Sequence, residues 1–121
     1  MIMIATKKKV NKLVRDKIPE EISRSNIMAD YDYDTAYGQD LYVALKKKII
    51  EEANELNKAV YTDEVIEELG DLMEAIKCFR KVAGIGKGVV KAAMAEKRER
   101  LGSFKDGIIL KWVRQPRRKK K

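Results

Sequence analysis

Apolar residues recur at helical spacing through most of this chain, and glycine, proline and turn residues punctuate them where helices should end. Leu41, Leu45, Ile49 and Leu56 predict a long helix over residues 39 to about 60, spanning about 30 Å at 1.5 Å per residue. Val65, Leu69, Leu72, Ile76 and Phe79 predict a second long helix, ending near Val82. Tyr61-Thr62 makes the turn between them, with Thr62 as the expected N-cap and Asp63 and Glu64 suited to the helix dipole. Upstream, Pro19 suits the first turn of a short helix reaching Ser25, with Asp16 or Lys17 near its cap. Residues 27–34 alternate and are rich in tyrosine, which reads as a short edge strand or an extended loop. Downstream, a helix is expected over residues 89–101, closed by Gly102. Residues 107–113 then read as a short strand anchored by Trp112. The fold class that follows is mainly α, an antiparallel helix bundle with one or two short peripheral strands.

Gly84-Ile85-Gly86-Lys87-Gly88 invites a phosphate-loop reading. No strand pattern precedes it and no Gly-Lys-Ser/Thr follows, so a helix C-cap and linker is the better account. At 121 residues the chain reads as one domain, able to bury roughly two-thirds of its unfolded surface. No run approaches the ~20 apolar residues of a membrane span, and the opening Met1-Ile2-Met3-Ile4-Ala5 is too short for a signal-peptide core. Cys78 is the single cysteine; beside Ala75, Ile76 and Phe79 it reads as a packed thiol in a reducing, cytoplasmic compartment.

Histidine is absent, which removes Ser-His-Asp and Cys-His catalysis and any imidazole metal site. A metal would have to be held by oxygen, which favours magnesium, manganese or calcium. The formal charge of +8 is a property of the ends: residues 114–121 carry six cations, residues 1–9 carry three, and the body over 10–113 is left at −1. The organisation expected is a flexible basic N-terminus over 1–9, a domain over 10–113 and a disordered basic tail over 114–121. The tail also opens an alternative function, a non-enzymatic helical module that contacts nucleic acid or nucleotide through Arg114 to Lys121. No aromatic is interleaved with the tail's charges to stack on bases.

Helical angles separate a site from a solvated face. With Leu45 at 0° and each residue advancing 100°, Glu52 falls at about 340°, inside the apolar stripe; Glu55 lies on its margin at about 280° and Glu51 at about 240°. A buried carboxylate without a partner costs several kcal/mol, roughly, so Glu52 needs a counter-charge. On the next helix, with Val65 at 0°, Glu68 and Asp71 fall at about 300° and 240° with the small Ala75 between them. A short connection makes the helices antiparallel, so Glu52 and Glu55 face Glu68 and Asp71. Four converging carboxylates repel, and a divalent cation relieves the conflict. On the last helix Lys97 points inward at about 340°, flanked by Arg100, with Val90 at 0°. It meets either a substrate phosphate or, as a buried ion pair, Glu52 or Glu55.

The acids also resemble a known signature. Glu51-Glu52-x-x-Glu55 followed by Glu68-x-x-Asp71 is similar to that of the all-α nucleotide pyrophosphohydrolases, a superfamily with MazG-like enzymes, dimeric dUTPases and phosphoribosyl-ATP pyrophosphohydrolase. Lys12-Leu13-Val14-Arg15-Asp16-Lys17-Ile18-Pro19 resembles the opening of a MazG-like branch described as phosphoribosyl-ATP pyrophosphohydrolase-like, and Lys97-Arg98-x-Arg100-x-Gly102-x-Phe104 resembles its closing motif. The resemblance implies magnesium-dependent cleavage (with manganese as a substitute) of a nucleotide between its α and β phosphates, giving a monophosphate and pyrophosphate. By carry-over Glu52, Glu55, Glu68 and Asp71 match metal ligands. Glu51 matches an acid that positions or deprotonates the attacking water, and Lys48 lies one turn before it. Lys12, Arg15, Lys17, Lys97 and Arg100 match phosphate contacts. A homodimer or homotetramer is implied. The basic tail lies outside the family pattern.

Overall fold

The computed structural model describes residues 6–117, and among these it contains four helices and no strand. The chain divides into two compact units, Met1–Gly86 and Lys87–Lys121. The expected basic ends fall partly outside the described residues, at positions 1–5 and 118–121. No helix among the described residues is long and apolar enough to cross a membrane.

In the first unit, α1 spans Ile18–Ser25, with Lys17 at the N-cap and Pro19 in the first turn, where its missing N–H costs nothing. Glu20 and Glu21 start it and Arg24 ends it, each charge matched to the helix dipole. The following segment is the extended loop of the two alternatives rather than an edge strand. No second strand supplies a ladder among the described residues, and side chains hold the loop instead. The Ser23 hydroxyl donates to the Tyr31 oxygen at 3.3 Å, and the Tyr31 and Tyr33 rings stack 6.2 Å apart.

The long helices α2, Gly38–Lys58, and α3, Thr62–Val82, follow the predicted pattern closely. α2 stops two residues before the expected Val60, where the extended Ala59 donates its N–H back to the carbonyls of Glu55 and Leu56. Thr62 is the first residue of α3 rather than its cap; Tyr61 holds the N-cap position with extended backbone and no side-chain capping bond. The α3 C-terminus shows what the glycine run does. Gly84 sits at φ +70°, its N–H donating to the Lys81 carbonyl at 3.1 Å, and the Ile85 N–H reaches the Arg80 carbonyl at 3.0 Å. This pair of bonds is the Schellman stop, which needs a residue at positive φ and therefore favours glycine.

α2 and α3 pack along one another as an antiparallel hairpin. Tyr42, early in α2, meets Phe79, late in α3, at a ring separation of 4.9 Å. Leu45 and Ala75, 5% and 7% exposed, form the buried centre, and the small Ala75 lets the helix backbones approach. The other faces of the hairpin stay open: Ile50, Ile66 and Met73 are exposed. The deep burial expected of a chain this long is therefore not realised among the described residues, because two helices and one flanking segment share only a thin interface. That segment, residues 10–17, precedes α1 and is tied to the hairpin by Lys12 and Arg15.

In the second unit, α4 spans Lys87–Leu101 and all of its residues are exposed. Gly102, at φ +83°, ends it with an N–H bond to the Arg98 carbonyl at 2.8 Å. The strand expected over 107–113 does not form; Ile108, Ile109 and Leu110 are exposed and no paired strand exists among the described residues. Trp112 anchors nothing there: it is exposed, with the Arg114 guanidinium 5.9 Å from its ring centre.

Candidate metal centre

The acids predicted to face one another across the hairpin do meet, as a trio. Oxygens of Glu52, Glu68 and Asp71 lie within 4.8 Å of one another. Glu52 is 8% exposed, and the other two are half-buried. Helix geometry explains the placement. Glu52 lies about two α-helical turns beyond Leu45 on the same stripe, while Glu68 and Asp71, three residues apart, share one ridge of α3. Glu55 stands outside the trio. Its position on the margin of the stripe turns it to solvent, with Lys58 at 3.9 Å.

Among the described residues, cations meet Glu51, Glu52 and Asp71 but not Glu68. Lys48, only 17% exposed in its side chain, reaches Glu51 at 3.3 Å and Glu52 at 3.4 Å. Lys12 donates to Glu51 at 3.0 Å, and Arg15 to Asp71 at 2.7 Å. Glu68 has no ion pair among the described residues. Loss of solvent raises its pKa, and the charges of Asp71, Glu52, Glu55 and Glu67 push it further the same way. Glu51 shows the opposite balance. Burial pushes its carboxyl up, but the Lys12 and Lys48 ammoniums together outweigh burial and hold it below the ordinary glutamate value. The same contact raises Lys12, and the Asp71 carboxylate raises Arg15.

This donor set fits a hard divalent cation. All three groups offer carboxylate oxygen, and a six-coordinate magnesium needs such oxygens about 3 to 4 Å apart, within a small side-chain rotation of the observed spread. The uncompensated charge on Glu68 is what a cation would neutralise. Three protein ligands leave positions open for water and phosphate oxygen.

The remaining predicted residues are distributed as follows. Lys17 sits at the α1 N-cap, lines the groove beside the trio and makes no ion pair among the described residues. Lys97 and Arg100 belong to the second unit. Lys97 is exposed rather than turned into an apolar face, and Arg100 donates to Glu96 on its own helix at 3.1 Å. Within the first unit the counter-charge of Glu52 is Lys48, one turn away on α2.

The groove itself, about 630 Å³, runs between residues 13–17 and the hairpin, and Glu52 and Asp71 form part of its wall. Glu74, Cys78 and Lys81 line it too and were not singled out by the site motifs. Their signal was available in the i, i+3, i+7 and i+10 spacing from Asp71 along one face of α3. The Cys78 thiol is half-buried; burial raises its pKa, and its S–H donates to Glu74 at 3.4 Å, so it stays a thiol. No protein-family model, no curated protein and no solved structure matches this chain.

Proposed function

We propose that this chain is a magnesium-dependent nucleotide pyrophosphohydrolase that cleaves a nucleoside triphosphate or related nucleotide between its α and β phosphates. The observation that carries the reading is the convergence of Glu52, Glu68 and Asp71 from two helices, with cationic side chains at its edge. Magnesium bound there, or manganese in its place, would polarise the phosphoryl group and acidify a coordinated water. Glu51 lies beside the trio and is held ionised by Lys12 and Lys48, which suits it to accept a hydrogen bond from the attacking water and orient it. The depressed pKa makes it a weaker base, so positioning is the larger part of its role. Arg15 and Lys12 would meet the negative charge that develops on the departing pyrophosphate, and Lys17 extends that cationic edge. Lys97 and Arg100 enter the proposal only through the motif resemblance.

The fold reading that accompanies this function is a MazG-like antiparallel bundle assembled as a homodimer or homotetramer. The open apolar faces of the hairpin, with Ile50, Ile66 and Met73 exposed, are the surfaces that such an assembly would cover. A lone free thiol accords with work in a reducing cytoplasm. Turnover of a panel of ribo- and deoxyribonucleoside triphosphates with magnesium tests the assignment. Glu52→Gln and Asp71→Asn should each abolish turnover while far-UV circular dichroism stays unchanged; wild-type rates in either variant would remove the assigned site.

A further inference from the structure

Among the described residues, the ion pairs that reach the hairpin's acids from outside it both come from one short stretch of chain. Residues 10–17 form no helix or strand, and Asn11 takes a left-handed φ of +45°. Two contacts clamp this strap to the hairpin: Lys12 on Glu51 and Arg15 on Asp71, the latter at 2.7 Å the shortest ion pair among the described residues. Of the strap's residues only Leu13 is half-buried, and the others are exposed. The groove of about 630 Å³ flanks the strap on the Arg15 side and a cleft of about 240 Å³ flanks it on the Lys12 side, with Leu13 and Lys48 bordering both. Both cations that tie the strap to the hairpin are more than half exposed, so each pair is weak enough to exchange.

Asp71 belongs to two arrangements at once. It is a member of the trio, and one of its oxygens is taken by the Arg15 guanidinium. A divalent cation on Asp71 would withdraw electron density from that carboxylate and repel the guanidinium from a few ångströms away. We infer that Arg15 is a stand-in cation. The strap over residues 10–17 closes on Asp71 when the trio lacks a metal, and a divalent cation held by Glu52, Glu68 and Asp71 displaces Arg15 and loosens the strap. The inference rests on the metal reading of the trio given above. Its consequence is a coupling that must run both ways: whatever seats the strap weakens metal binding, and metal binding opens the strap. Arg15 and Lys12 are then released at the edge of the metal, where phosphate oxygens would replace the carboxylates as their partners.

Two measurements on the full chain test this. Calorimetric titration with manganese should show Arg15→Gln binding about three- to fivefold more tightly than wild type, the fold-change of one exposed ion pair lost as competitor. Arg24→Gln, which removes the same charge from pairs with Glu20 and Glu21 on α1, should leave the affinity unchanged. Hydrogen exchange of the wild-type chain should accelerate severalfold over residues 10–17 when magnesium is added, and Glu68→Gln should abolish that acceleration. A flat wild-type isotherm would overturn the metal reading and this inference together. A wild-type isotherm that Arg15→Gln leaves unchanged or weakens, or magnesium that slows exchange in the strap, would overturn the strap alone.

Discussion

Glu68→Gln should improve the metal-free protein and ruin the metal-loaded one. Glu68 is the member of the trio with no ion pair among the described residues, and desolvation followed by four neighbouring carboxylates raises its pKa. A raised carboxylate pKa means that the folded state binds the proton more tightly than the unfolded chain. Folding stability therefore falls as pH rises above the ordinary glutamate value, and at neutral pH an ionised Glu68 works against the fold. Glutamine keeps the shape and removes the charge, so the metal-free variant should melt higher than wild type at pH 7, with the difference shrinking toward pH 4. Magnesium reverses the order. At ten times its dissociation constant a cation stabilises its binder by about 1.4 kcal/mol, from RT ln(1 + [L]/Kd). The site lies in a unit of fewer than a hundred residues, for which 1 kcal/mol moves Tm by about 4 to 8 °C, so wild type should gain about 6 to 11 °C. The variant should gain almost nothing. Differential scanning calorimetry with EDTA and with magnesium, at pH 7 and pH 4.5, reads all four cases. If Glu68→Gln melts lower than wild type without metal, or keeps the full magnesium shift, the electrostatic account of the trio is wrong.

Three further outcomes follow from the same contacts. Leu45→Ala should cost about 2 to 5 kcal/mol by chemical denaturation, because Leu45 is one of two buried apolar residues among those described; its magnesium shift should survive, and loss of that shift would merge fold and site. Lys48→Gln should move the acid limb of the pH–rate profile upward, since Glu51 loses a cation that holds its carboxyl down. An acid limb that stays in place would show that Glu51 is not the group titrating. Truncation after Val113 should leave turnover intact and abolish any salt-sensitive nucleic-acid binding; lost turnover would tie the tail to catalysis.

The hairpin was legible because each long helix carries an unbroken apolar stripe, and its stop was legible because Gly84 supplies the positive φ that the α3 terminus uses. Angles alone placed Glu52 inside and Glu68 and Asp71 opposite it, since one residue per 100° is a strong constraint over three turns. They over-reached at Glu55, where a marginal angle let Lys58 and solvent take the side chain. The same reasoning put Lys97 on an inward face, and its side chain is exposed. A stripe of Val90, Met94 and Leu101 defines an inward face only if something packs against it, and α4 buries none of its residues. The two strap contacts were not readable at all: Lys12 and Glu51 are 39 residues apart and Arg15 and Asp71 are 56 apart, beyond any local periodicity. The apolar run over residues 107–113 shows the converse limit, since β-forming residues make no strand without a partner to complete the ladder.

Phosphorus NMR of a nucleoside triphosphate incubated with the protein and magnesium tests the central claim most directly. Resonances of nucleoside monophosphate and pyrophosphate should grow together in equal amounts, and EDTA or Glu52→Gln should stop both. Diphosphate with inorganic phosphate would place the cut at the wrong bond, and an unchanged spectrum across the whole triphosphate panel would contradict the account.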